Sequence, residues 1–157
     1  MAQIYQHTQV VPSQAIDQNG HVNNVEYVRW MQQTAELHSD HQGCTQASRK
    51  VGATWVARSH KIEYFRPAWL SEEIAILTWV SNWRRVRSLR KYKFVRLSDR
   101  SILAAGETEW IFVDAQSFRP LTIPETILSL FELVCPTEEA AKLENFLREQ
   151  IWSLNHD

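Results

Sequence analysis

Tyr27, Trp30, Met31, Thr34, Ala35 and His38 recur at i, i+3, i+4, i+7, i+8 and i+11, with Arg29, Gln32, Gln33, Glu36 and Asp40 opposite them. This spacing gives a helix one mostly apolar face and predicts that it runs to about residue 42. Gly43 suits the C′ position, and His38 and His41 fall in the last two turns, where the helix dipole favours them. The helix start is equally well specified. Asn23 fits the N-cap, Glu26 the N3 position of a capping box, and Val22 and Tyr27 the two halves of a hydrophobic staple. Elsewhere the pattern turns to β. Ile4 to Val11 is β-prone and ends at Pro12; Thr54 to Phe65 is a long strand ended by Arg66-Pro67; Glu73 to Trp83 places Ile74, Ile76, Thr78 and Val80 on one face. Leu89 to Leu97 and Ile102 to Asp114 form a last pair joined at Ser98-Asp99-Arg100-Ser101. Ser48 to Gly52 reads as a loop. Pro124 suits N1 of a short helix over 125–134, and Pro136-Thr137 opens a final helix with Leu143, Phe146, Leu147 and Ile151 on one stripe.

A strand, a long helix and four strands in succession predict an antiparallel meander against which the helix buries its stripe. The expected class is α+β: a curved antiparallel β-sheet packed on a long central α-helix, with extra C-terminal helices. Residues 1–135 form the domain and 136–157 a helical extension packed on it. Hydrophobic residues at 44% and charged residues at 22% of a 157-residue chain are ordinary globular usage for one domain. A net charge of −1 removes any bulk drive toward nucleic acid or an anionic membrane. No apolar run approaches the roughly 20 residues of a membrane span, and the first ten residues lack the marks of a signal peptide. Cys44 and Cys135 are too few for a disulfide framework, so a reducing, cytoplasmic setting with free thiols is expected. Seven tryptophans are many for this length; most belong in the core, with some available to wall a pocket for an apolar ligand.

Candidate chemistry concentrates in Asp17-Gln18-Asn19-Gly20-His21-Val22-Asn23-Asn24, just before the long helix. Asp17 is the one acid of the loop and fits a general base or nucleophile, or an Asp that only staples a turn. Gly20 fits a backbone conformation other residues resist, in a turn or close to a ligand. His21 could orient a water, bond a carbonyl oxygen or hold the loop. The N–H groups of Asn24 and Val25 lack helical partners and sit at the positive end of the helix dipole, where an oxyanion would be met.

The run Asp17-x-x-Gly20-His21-Val22-Asn23-Asn24-x-x-Tyr27-x-x-Trp30 resembles hotdog-fold thioesterases of the 4-hydroxybenzoyl-CoA thioesterase family. Tyr64-x-Arg66-Pro67-Ala68, and Gly106 to Asp114 followed by Arg119-Pro120 and Pro124, extend the resemblance over roughly residues 5–130. It implies hydrolysis of an acyl-CoA thioester, with Asp17 as base or nucleophile, the Asn24 amide as oxyanion donor and His21 as a further catalytic candidate. Gly20, Asn23 and Tyr27 are the expected substrate contacts beside them. Similar Asn-His-Asn-Asn motifs occur in acyl-carrier-protein thioesterases, so an acyl carrier protein is the alternative carrier, and a non-catalytic acyl-CoA binding protein a further reading. Some family members place an acid in the middle of the central helix; Gln32 and Gln33 stand there instead, which favours Asp17. The resemblance further implies a homodimer or homotetramer with sites at the subunit interface.

Arg84, Arg85, Arg87, Arg90, Lys91 and Lys93 form a basic run between the third and fourth strands. Arg84, Arg85 and Arg87 are expected to meet the phosphates of coenzyme A; the bland alternative is a solvated turn and edge strand. No nucleic-acid recognition motif accompanies the run. His38 and His41, spaced i, i+3 without an HExxH pattern, predict no metal, and no cofactor is expected.

Overall fold

The computed structural model describes residues 4–151. Helix α1 spans Asn24–His41, about 27 Å at 1.5 Å per residue. A five-stranded antiparallel sheet curves around it. Strands β1 (Tyr5–Val10), β2 (Ala53–Tyr64), β3 (Glu73–Arg84), β4 (Arg87–Arg96) and β5 (Ile102–Asp114) lie in the order β1-β3-β4-β5-β2. This is the α+β hotdog architecture expected from the sequence. Register shifts at Ala57/Ser59, Val80/Asn82 and Phe94/Val95 mark bulges, the device by which a sheet bends.

Only β3, β4 and β5 form the meander. β2 does not lie beside β3; it pairs with β5 at the far edge. The cause is segment 65–72, too long for a tight hairpin and interrupted by Pro67. The Phe65 and Arg66 N–H groups both donate to Leu103 O, at 2.8 and 3.1 Å. The chain then passes the start of α1 before entering β3: Val22 N–H donates to Ala68 O at 2.9 Å, and Ser71 N–H to Val11 O at 3.0 Å.

The apolar face of α1 buries Tyr27, Trp30, Met31 and Ala35 against Ile74, Ile76, Tyr92, Phe94, Leu103 and Ala104. β3 is covered on both faces. Ala75, Leu77 and Trp79 point away from α1 and cluster with Val95 and Val134, against which Leu143 and Phe146 of helix Pro136–Phe146 and Leu147 beyond it pack. Ile151 and residues 152–157 offer no described side chain to the predicted stripe. α1 crosses the sheet closely at Gly106: a Cβ there would stand 2.9 Å from Met31 Sδ and 3.0 Å from its Cε.

Two helices differ from expectation. Helix α2 (Cys44–Lys50) replaces most of the expected loop before Gly52. Gly43, with φ +79, ends α1 and caps α2 at once; seven residues burying only Cys44 and Ser48 are too short a stripe to register as periodicity. Helix α3 covers only Glu125–Leu128, with Pro124 as its N-cap rather than N1. Val134 N–H donates to Val80 O at 3.0 Å, tying the rest of the expected helix to the sheet. The helix at Pro136 is α4.

Candidate active site

The loop before α1 is closed at its base. Ile16 and Val22 form an isolated antiparallel bridge, Asp17 N–H donates to His21 O at 2.9 Å, and Gly20 N–H to Asp17 O at 3.0 Å. Gly20 sits at φ +83 with nothing within 4 Å of where a Cβ would lie. Its role here is therefore the left-handed turn, not close packing. Asp17 Oδ1 accepts Asn19 N–H at 2.8 Å, which leaves Oδ2 toward His21 Nδ1 at 3.9 Å. The same His21 nitrogen lies 3.1 Å from Val22 O, and Trp69 meets the ring edge-on at 6.0 Å. Both Asp17 and His21 keep part of their side chains accessible, 20% and 32%.

The cap brings the helix start to this loop. Asn23 N–H donates to Ala15 O at 2.8 Å, and Asn23 Oδ1 accepts Val25 N–H at 3.0 Å. The capping box is half made: Glu26 turns to Arg29 at 3.8 Å instead of reaching back to Asn23. The cap also corrects the expected pair of free amides. Val25 N–H is taken, while Asn24 N–H has no acceptor among the described residues. The staple residues Val22 and Tyr27 join one core cluster, at 1% and 2% exposure. Tyr64 Oη donates to Asn24 O at 2.8 Å, pinning the end of β2 to the same turn.

Asp17, Gly20, His21, Asn23 and Asn24 thus stand together. Tyr27 stands behind them with its ring in the core, against Tyr64 and Phe94. Burial, then the neighbouring Tyr64, pushes its hydroxyl up to about 12. Arg84, Arg85 and Arg87 are not brought to the loop within one chain. They lie at the β3–β4 turn, where Arg85 Nε donates to Thr122 Oγ1 at 3.4 Å and Arg87 Nη1 to Glu109 Oε1 at 2.8 Å. The loop sits instead at the other end of the hairpin, where Val11 N–H reaches Glu72 O at 2.9 Å, beside the first residue of β3.

Sequence reasoning missed Arg96. Its Nη2 donates to Pro67 O at 2.6 Å, Nε lies 2.6 Å from Glu72 Oε2, and Nη1 donates to Asp99 Oδ2 at 3.0 Å. This clamp holds the crossing that brings Ala68 and Trp69 to the loop, and no local motif announces it. It also missed that the basic run divides by strand alternation. β4 is an interior strand, not an edge. Arg90 shares the inward face with Tyr92 and Phe94, and Arg90, only 5% exposed, donates from Nη1 to His38 Nδ1 at 2.8 Å. The alternation Arg90, Tyr92, Phe94 was the available signal.

A family model of the thioesterase-like superfamily matches residues 10–131. No curated protein sequence matches. Among solved structures, a 1,4-dihydroxy-2-naphthoyl-CoA thioesterase from Synechocystis superposes with TM-score 0.73 at 14% identity, over 81% of this chain and 94% of that one. A Staphylococcus aureus protein solved in complex with CoA gives 0.72 at 17% identity, over 91% and 85%. An acyl-ACP thioesterase from Bacteroides thetaiotaomicron gives 0.76 at 19%, over 85% of this chain and 56% of that longer one.

Proposed function

The chain belongs to the thioesterase-like superfamily, and from that premise we propose that it hydrolyses an acyl-CoA thioester to free acid and CoA. The observation that carries the reading is a closed loop that presents an accessible carboxylate, Asp17, next to a helix-start amide, Asn24, that has no acceptor among the described residues. Asp17, as general base, takes a proton from a water as its oxygen attacks the thioester carbon. Asn24 N–H, backed by the helix dipole, receives the oxyanion. Collapse breaks the C–S bond, and the thiolate leaves and is protonated. With Asp17 as nucleophile, the same collapse leaves an acyl anhydride on Asp17 for water to hydrolyse. His21 positions Asp17 Oδ2 or the water. Exposed Val25, Tyr64, Phe65 and Trp69 offer apolar surface near the loop for an acyl group. Gly20 and Asn23 shape the substrate entry through backbone and cap, and Tyr27 supports it from the core.

Arg84, Arg85 and Arg87 meet the CoA phosphates only if a second protomer brings them over, so a homodimer belongs to this reading. The alternative carrier is acyl carrier protein, favoured by the structural likeness to an acyl-ACP thioesterase. The test is thiol release from a panel of acyl-CoA esters and an acyl carrier protein ester. Wild type turns over at least one CoA ester, and Asp17→Asn loses roughly 100-fold or more in kcat while melting as wild type does. Inactivity on every CoA ester, or full rate in Asp17→Asn, sinks the assignment; faster turnover of the carrier-protein ester moves it to that carrier.

A further inference from the structure

A cavity of about 340 Å³ opens between the C-terminal half of α1, α2 and the inner face of the sheet. None of the loop residues Asp17 to Asn24 lines it. Its nearest α1 residue, Ala35, is eleven positions past Asn24, roughly 16 Å along the helix axis at 1.5 Å per residue. The walls are flat and aromatic: Trp55, Trp83, Trp110 and Phe131. Arg90 also lines the cavity.

Arg90 is the anomaly of this interior. It is 5% exposed, and no carboxylate lies within ion-pair distance among the described residues. A buried charge of this kind is costly unless it is paired. Both of its side-chain hydrogen bonds leave Nη1, to His38 Nδ1 at 2.8 Å and to Thr78 Oγ1 at 3.2 Å, and neither acceptor is charged. Arg is always a donor, so His38 Nδ1 accepts, which fixes a neutral imidazole. Phe131 covers the guanidinium at 5.6 Å, a cation–π contact that offsets only part of the burial. Trp110 Nε1, also buried, is turned toward the Tyr92 hydroxyl. The chamber thus holds a fixed positive charge with no carboxylate paired to it among the described residues, inside aromatic walls. The acids at its rim, Glu36 and Asp40, are exposed and screened by water, and Arg49 stands beside them.

We propose that this chamber binds an organic carboxylate with a flat apolar body, the carboxylate pairing with Arg90 and the body lying between the tryptophans. A guanidinium matches a carboxylate in a planar, two-pronged geometry, and the volume falls within the range of small-ligand pockets. The site is separate from the thioester loop, so it takes a free acid, whether from this protein's own turnover or from elsewhere.

The probe is 2-naphthoate, titrated into the full chain at pH 7 by calorimetry and by tryptophan fluorescence, with the uncharged 2-naphthamide as control. Naphthoate saturates at one per chain, quenches fluorescence and binds at least tenfold tighter than the amide; Arg90→Met cuts that preference below threefold. Asp17→Asn binds naphthoate as wild type does, which separates this site from the proposed catalytic one. Equal binding of acid and amide to wild type, no saturable binding, or full preference in Arg90→Met overturns the proposal. The first two comparisons need no variant, so a misfolded Arg90→Met leaves it decidable. Loss of binding in Asp17→Asn places the probe at the loop instead and overturns it too. Inorganic phosphate displacing naphthoate at equal concentration overturns the requirement for a flat body.

Discussion

His38 sits on the apolar face of α1 at 2% exposure, stacked on Tyr5 at 5.0 Å and accepting from Arg90. Burial first, then the charges of Arg90 and His41, hold its pKa near 3 against an ordinary 6.5. The folded state therefore refuses a proton that the unfolded state binds between those values. The associated stability is complete above about pH 6.5 and is lost as pH falls toward 3. At pH 4.5 the expected loss is about 2–3 kcal/mol relative to pH 7. His7 and His60, also lowered by burial, add to the same slope. Urea midpoints at the two pH values check this: His38→Gln flattens most of the dependence, and a midpoint equal at both in wild type refutes it. Asp17 is the other residue on which much turns. Its sequence neighbourhood suggested chemistry, but the pairing with His21 at 3.9 Å exists only because the Ile16–Val22 bridge closes the loop.

At the scale of elements, the start of α1 and its crossing over β5 are the two constrained places. Asn23 Oδ1 holds Val25 N–H at 3.0 Å, and Asn24 N–H is the donor left without an acceptor among the described residues. Asn23→Ala should cost about 1 kcal/mol and, by loosening that turn, lower the rate of thiol release more than it raises KM. A variant with wild-type stability and rate would show that the cap does not hold the donor. At the crossing, Met31 fills the space above Gly106. A single methyl meets the flexible end of Met31 most closely and Lys61 O at 3.4 Å, but Met31 is fully buried. Gly106→Val adds branching that the crossing has no room for and should cost about 2–3 kcal/mol; thermal melts of the pair Gly106→Ala and Gly106→Val check the size dependence. Element legibility followed length. α1, with five turns of stripe, was readable to within a residue, whereas α2 was not, because seven residues and two buried positions leave no period.

For the whole molecule, the sheet has two edges, β1 and β2. β2 is twelve residues long with much of its second half exposed. A long bare edge invites pairing with a second copy, and exposed Val10, Val25, Phe65, Trp69 and Leu70 add apolar surface. The proposed function also needs Arg84, Arg85 and Arg87 from another protomer. Light scattering on the purified chain should therefore give about twice its 18.4 kDa. A monomer at tens of micromolar would remove the route by which those arginines reach the substrate.

The strands, the central helix with its cap, and the loop carrying Asp17, Gly20, His21 and Asn24 were local in the chain, because hydrophobic period and turn chemistry act over a few residues. What joins distant positions was decided only in three dimensions. The exchange of β2 to the far edge depends on where segment 65–72 finds its partners. The Arg96 clamp reaches residues on both sides of β3. Arg90 reads as one charge in a basic run until β4 is seen to lie inside the sheet, with that guanidinium against His38 and the tryptophan-walled chamber. The sequence by itself determined the presence of a carboxylate and an amide at a helix start; the tertiary structure decided that Val25 is consumed by the cap and Asn24 is left open, because a hydrogen-bond donor is free only when everything folded around it has chosen another partner.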